Sequence, residues 1–242
     1  MSGIMMTLMN SIGSSVIPAP APPFVNPSLT IGSAVTTVAQ SPFGGGGNSY
    51  SFSSSVNSYI TSPASTDWAM GTGDFTVEWF SYQTTLAQFQ RVFTVGDYPS
   101  IDFGVSIESG TFYFWSGGDA DTDYSSASAT TINTWYHWAV VRSGTTLSVY
   151  RNGTLRGSSV SNTDNINDSS TALVVGNTNT YATNAAFVGY ITNFRLVKGL
   201  AVYAGDFTVP TSALTATASA NPYGGSNTAA IGEGFTKLLL VP

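Results

Sequence analysis

From residue 48 to the C-terminus, clusters of Gly, Asn, Asp, Ser and Pro recur every few residues, and the stretches between them are short runs rich in Val, Ile, Thr, Tyr, Phe and Trp. That rhythm constrains the fold more than any other feature, because alternating turn chemistry and short β-prone runs suit antiparallel strands and little else. In the run 75–82 (FTVEWFSY), Phe75, Val77 and Trp79 fall on one face of a strand and Thr76, Glu78 and Phe80 on the other. Further strands are predicted over 49–53, 58–61, 91–95, 101–107, 111–115, 135–142, 146–151, 154–160, 172–175, 187–197 and 237–241. Asn152-Gly153 separates two of them, and this pair is a strong hairpin signal because both residues tolerate positive φ. No segment sustains a helical apolar period, so very little helix is expected. The fold class read from this pattern is all-β, an antiparallel two-sheet sandwich preceded by an extended N-terminal arm.

The arm is residues 1–47. It holds no charged residue, carries prolines at 18, 20, 22, 23, 27 and 42, and ends in four glycines at 44–47. Proline fixes φ and removes a donor, so 17–27 should run as polyproline-II-like chain, and the glycines should act as a hinge. Disordered segments are usually charged and poor in large apolar residues, whereas this one presents Ile17, Pro18, Phe24, Val25, Leu29 and Ile31. Those residues are expected to lie against a partner protein or a neighbouring copy. The division is therefore an arm, 1–47, and a sandwich, 48–242.

Composition excludes several functions. Only 8% of the 242 residues are charged, against about 25% in typical globular chains. The seven basic residues are scattered, so nothing here could neutralise a run of phosphates and no nucleic-acid partner is expected. There is no cysteine, hence no disulfide, thiolate chemistry or common structural zinc site. The first thirteen residues are apolar in places but lack a basic n-region and a membrane-length run, so neither signal peptide nor membrane contact is expected.

The segments DFTVEWFSY (74–82), TWYHWAVVRSGTTLSVYRNGTLRG (134–157), ALVVGN (172–177) and FVGYITNFRLVKGLAVY (187–203) together resemble laminin G-like domains of the concanavalin A-like lectin/glucanase superfamily. The resemblance implies a jelly-roll sandwich with Trp135, Trp138, Val140 and Leu147 in its core, and Gly189 where two backbones approach closely. The tail, with Gly199, Tyr203, Phe207, Pro210, Leu214 and the run TKLLL (236–240), is similar to a version common in phage and large-virus structural proteins. The last run is expected to return beside 49–53 and close the sheet.

The glucanases of that superfamily place paired carboxylates at alternate positions of one strand as acid and nucleophile. Here Glu78, Glu108 and Glu233 lie in separate segments, so no enzymatic activity is expected. His137, the single histidine, sits within a strand between aromatic neighbours and reads as structural rather than catalytic. Asp119, Asp121 and Asp123 alternate in a Gly/Ser loop, which can gather oxygens for Ca²⁺ or simply promote turns. Among the tryptophans, Trp79, Trp135 and Trp138 are expected in the core, leaving Trp115 and Tyr124 as the exposed rings on which a glycan could stack. Two sequons, at Asn152 and Asn167, matter only in a secreted eukaryotic protein.

The expected function is that of a non-enzymatic virion structural protein: a capsid decoration or cement protein, anchored by its arm to the major capsid protein in several copies, with the sandwich facing outward. The alternative is a glycan-binding adhesion module on a tail fibre or cell surface, taking host-surface glycans.

Overall fold

The structure is a computed structural model that describes residues 22–44, 46–86, 89–96, 100–118, 122–127, 129–168, 170–180 and 182–242. Its strands are β1 (Thr30–Ile31), β2 (Thr36–Val38), β3 (Ser49–Phe52), β4 (Ile60–Thr61), β5 (Phe75–Gln83), β6 (Gln90–Val95), β7 (Phe103–Glu108) and β8 (Thr111–Ser116). They continue as β9 (Tyr124–Ser126), β10 (Trp135–Ser143), β11 (Thr146–Arg151), β12 (Thr154–Leu155), β13 (Val160–Ser161), β14 (Leu173–Val175), β15 (Gly189–Lys198) and β16 (Thr236–Leu240). Thr66–Trp68 forms a single 3₁₀ turn.

The strands build two antiparallel sheets. One runs β1-β4-β14-β6-β7-β8-β9; the other runs β12-β11-β10-β5-β15-β3-β2, with β13 also on β11 and β16 also on β15. The period-two patterning explains why they face one another. Phe75, Val77 and Trp79 of β5 point inward with Trp138 and Val140 of β10, and meet Phe93, Phe103, Phe112 and Phe114 from the opposing sheet. Trp79 sits at the centre, with ring centroids 6.2 to 6.5 Å from Phe93, Phe112, Trp138 and Phe194. Offset and edge-on aromatic pairs of this kind each add about 0.5–1.5 kcal/mol beyond their area burial.

Asn152 and Gly153 adopt φ of 51° and 77°, the two left-handed conformations a tight hairpin requires. Gly189 makes the expected close approach: a Cβ there would lie 2.0 Å from the Tyr82 carbonyl oxygen.

Two sequence expectations need correction. The run 236–240 does not pair with 49–53. Both lie on the same side of β15, β3 against Gly189–Ile191 and β16 against Phe194–Val197, end to end across a bulge where Asn193 has φ 53°. The outer face of β5, β10 and β15 is covered by a later segment of the chain. Residues 199–235 fold across it and bury a second apolar cluster of Val202, Tyr203, Phe207 and Ile231 against Ala139, Val141, Tyr150 and Val197. The described part of the arm is also engaged by its own sandwich. Thr30–Ile31 pairs with β4 and Thr36–Val38 with β3, so the arm supplies an edge strand to each sheet. Leu29 packs against the core, and the Asn26 side chain exchanges two hydrogen bonds, 2.7 and 3.0 Å, with the backbone of Leu239. Ile17 and Pro18 lie outside the described residues.

Candidate functional site

The outward face of the seven-stranded sheet carries a recess, a cleft of about 570 Å³. Strand alternation builds it. On β8, Phe112 and Phe114 point into the core, so Tyr113 and Trp115 point out; on β6 and β7, Arg91 and Glu108 do the same. Phe89 stands at one rim, 41% exposed, and Thr178, Thr180 and Asn184 come from the segment leading towards β15.

The polar and aromatic groups are tied to one another. Arg91 Nη1 lies 3.1 Å from Glu108 Oε1, and the Ser106 hydroxyl donates to that oxygen at 2.7 Å. The Arg91 guanidinium also lies over the Trp115 ring, 4.7 Å from its centroid, while Tyr113 stacks beside Trp115 at 5.6 Å and 20°. The result is a firm wall of two rings and one neutralised ion pair. Such a surface binds ligands that combine apolar faces with hydroxyls, since the rings take the faces and the ion pair takes donors and acceptors. Among the described residues lining the cleft, Glu108 is the one carboxylate.

Two site residues expected from the sequence fare differently. Trp115 does line the cleft, but as a buried wall only 6% exposed, not as a free ring. Tyr113 and Phe89 offer more open aromatic surface beside it; the alternation 111, 113, 115 against 112, 114 marks Tyr113 as outward-facing and was the available signal. Tyr124 is a correction. It packs in the core against Phe112 at 6.1 Å, and its hydroxyl donates to the Arg156 carbonyl.

Asp119 and Asp121 lie outside the described residues. Asp123 belongs to a polar cluster: the Ser116 hydroxyl is 3.0 Å from Asp123 Oδ2 and 2.8 Å from Asp164 Oδ2, and the Asn162 amide donates to Asp123 Oδ1 at 3.1 Å. Burial, then contact with Asp164, pushes the Asp123 carboxyl up to about 7. Among the described residues no three acidic or histidine side chains gather in a way that would hold a metal ion.

A second polar cluster was not foreseen. Beneath the segment 199–235, Glu78 is fully buried and surrounded by Arg195, by His137 Nε2 at 3.1 Å and by the Tyr203 hydroxyl at 2.7 Å. Burial alone would raise its carboxyl, but the Arg195 charge and the bonds from His137 and Tyr203 reverse that and hold it at about 2. His137 is 1% exposed, so its role in holding Glu78 agrees with its reading as structural.

A family profile described as the concanavalin A-like lectin/glucanases superfamily matches residues 53–200, more than half of the sequence. The chain belongs to that superfamily. A search of the curated proteins finds no match. Among solved structures, the chain is similar to domain 4 of a family-43 extracellular arabinanase from Geobacillus stearothermophilus, seen in complex with arabinotriose: TM-score 0.55, 16% identity, 72% of this chain and 82% of that one. It is also similar to the binding domain of Paraclostridial Mosquitocidal Protein 1, with TM-score 0.55, 13% identity and coverage of 72% and 44%. A third likeness is to tailspike protein 2 of an Escherichia coli O157:H7 bacteriophage, with TM-score 0.54, 14% identity and coverage of 74% and 26%. At these identities the likeness is one of fold. The chain spans less than half of the mosquitocidal domain's chain and about a quarter of the tailspike. Among the described residues no helix is long and apolar enough to cross a membrane.

Proposed function

We propose that this superfamily member is a non-enzymatic recognition protein of a virion exterior, and that its cleft takes a neutral glycan. The observation that carries the reading is the cleft on the seven-stranded sheet, in which Tyr113, Trp115 and the paired Arg91 and Glu108 form one wall. Stacking rings and a charge-balanced pair recognise sugar faces and hydroxyls without favouring a charged ligand. Glycoside hydrolysis needs two carboxyl groups across the scissile bond; Glu108 has no second carboxylate beside it among the described lining residues. The virion setting rests on the tail resemblance to viral structural proteins and on a surface poor in charge. The test is a glycan array with the full chain and Tyr113→Ala: retained folding with loss of the wild-type glycan signal supports the reading, and an unchanged signal rejects it.

The decoration reading draws on a different observation. Val25 is 80% exposed and Ile31 49% exposed, so the arm keeps an apolar outer side even while its strands are used by the sandwich. A shell protein such as the major capsid protein would cover that side. Particles reconstituted with Val25→Asp/Ile31→Asp should then lose the protein; full retention would reject a role for this edge.

A further inference from the structure

The outer face of the nine-stranded sheet is covered by residues 199–235 only in part. Past Phe207 the cover narrows to Val209, Pro210 and Thr211, and a pocket of about 280 Å³ opens between these and Pro42 and Phe43 of the arm. Phe80, Trp135, His137 and Asn152 complete its walls, and no Asp, Glu, Lys or Arg is among the described residues that line it.

His137 gives this pocket a chemical requirement. Its Nε2 meets Glu78 Oε2 at 3.1 Å. An ionised carboxylate only accepts, so Nε2 carries the hydrogen and donates it to Glu78, which leaves Nδ1 as the ring nitrogen available for a second hydrogen bond. Nδ1 is buried and has no hydrogen-bond partner among the described residues. A buried polar atom left without a partner is costly, and a ligand hydroxyl, which both donates and accepts, would remove that cost.

The mouth of the pocket points to what brings the hydroxyl. Trp135 is half-buried rather than in the core where sequence reasoning put it, and it continues into a strip with Tyr82 and Tyr190, also half-buried. Ring centroids are 5.4 Å apart for Tyr82 and Trp135, 5.5 Å for Tyr82 and Tyr190, and 6.4 Å for Trp135 and Tyr190. These three rings come from adjacent positions on β10, β5 and β15, so the strip is fixed by strand register. A row of aromatic faces beside a pocket without charged lining residues and with one unpartnered imidazole nitrogen suits a neutral polyhydroxylated chain.

We propose that this pocket is a second binding site, on the sheet opposite the cleft, that takes the terminal ring of a neutral oligosaccharide, stacked on Trp135 and hydrogen-bonded through a hydroxyl to His137 Nδ1. It does not depend on the cleft binding glycans. The chain has a single histidine, so the imidazole ¹⁵N spectrum of the full protein reports this site without assignment. Titration with a panel of neutral oligosaccharides should move the Nδ1 resonance more than that of Nε2, which stays bonded to Glu78. Trp135→Ala should weaken that binding at least tenfold, and Trp115→Ala should leave it unchanged. Tyr190→Ala, outside the pocket, supplies a second variant should Trp135→Ala fail to fold; a several-fold loss is expected. An Nδ1 signal unmoved by every oligosaccharide overturns the proposal, as does binding lost in Trp115→Ala and kept in Trp135→Ala. A chain lacking residues 1–21 whose Nδ1 signal already differs from that of the full chain would assign the pocket to that segment and overturn it as well.

Discussion

Arg195 holds Glu78 through one oxygen: its Nε lies 2.9 Å and its Nη2 2.5 Å from Glu78 Oε1, on an outer sheet face closed by residues 199–235. Removing one member of a buried pair leaves the other charge uncompensated, at a cost of about 3–5 kcal/mol. Glu78→Gln is therefore expected to lower unfolding free energy by that amount in urea titrations at pH 7. The acid dependence follows from the same group. Its carboxyl is lowered from 4.5 to about 2, so its contribution is fully present above the unfolded value and is lost as pH falls from about 4.5 towards 2. Stability measured over that window should fall in the wild type and fall less in Glu78→Gln.

This network also marks how far the sequence could be read. Strand positions and the inward set Phe75, Val77 and Trp79 were legible because their alternation is local. The burial of Glu78 was not, since an outward polar residue on a strand ordinarily meets water. Its burial depends on 199–235, a segment without regular period that docks through Tyr203 and Phe207. The partner of TKLLL was likewise hidden, because an apolar run fixes a strand but not its neighbour. In the cleft, Trp115 was legible by type but its burial was not, since Arg91 arrives from a strand distant in sequence.

The Asp123 carboxyl gives the opposite pH dependence. The Ser116 hydroxyl, already accepting from the Asn162 amide at 2.8 Å, has one hydrogen for two carboxylates. Asp123 is raised from 3.8 to about 7, so its contribution is complete below about pH 4 and is lost as pH rises through 7. Asp123→Asn keeps a neutral group in place and should flatten the fall in melting temperature between pH 5 and 8. An equally steep fall in the variant would exclude Asp123 as its source.

Gly189 has φ 141° and no room for a side chain beside Tyr82. Gly189→Ala forces β15 away from β5 and should cost about 2–4 kcal/mol by combined backbone strain and overpacking. Chemical denaturation checks this, and a change under 1 kcal/mol would contradict the tight β5–β15 register.

Deleting residues 22–44 removes an edge strand from each sheet and the Asn26–Leu239 bonds. A melting temperature several degrees lower is expected, with Asn26→Ala alone costing about 1 kcal/mol. An unchanged melting temperature after deletion would mean that the arm does not stabilise the sandwich.

The central claim is that the cleft between β6, β7 and β8 binds a neutral glycan. Its most direct measurement is calorimetric titration of the wild type and Tyr113→Ala with the glycan that scores highest on an array. Micromolar-to-millimolar binding is expected in the wild type and at least tenfold weaker binding in the variant, with both proteins melting alike. Equal affinity in the two, or no neutral glycan bound at all, would contradict it.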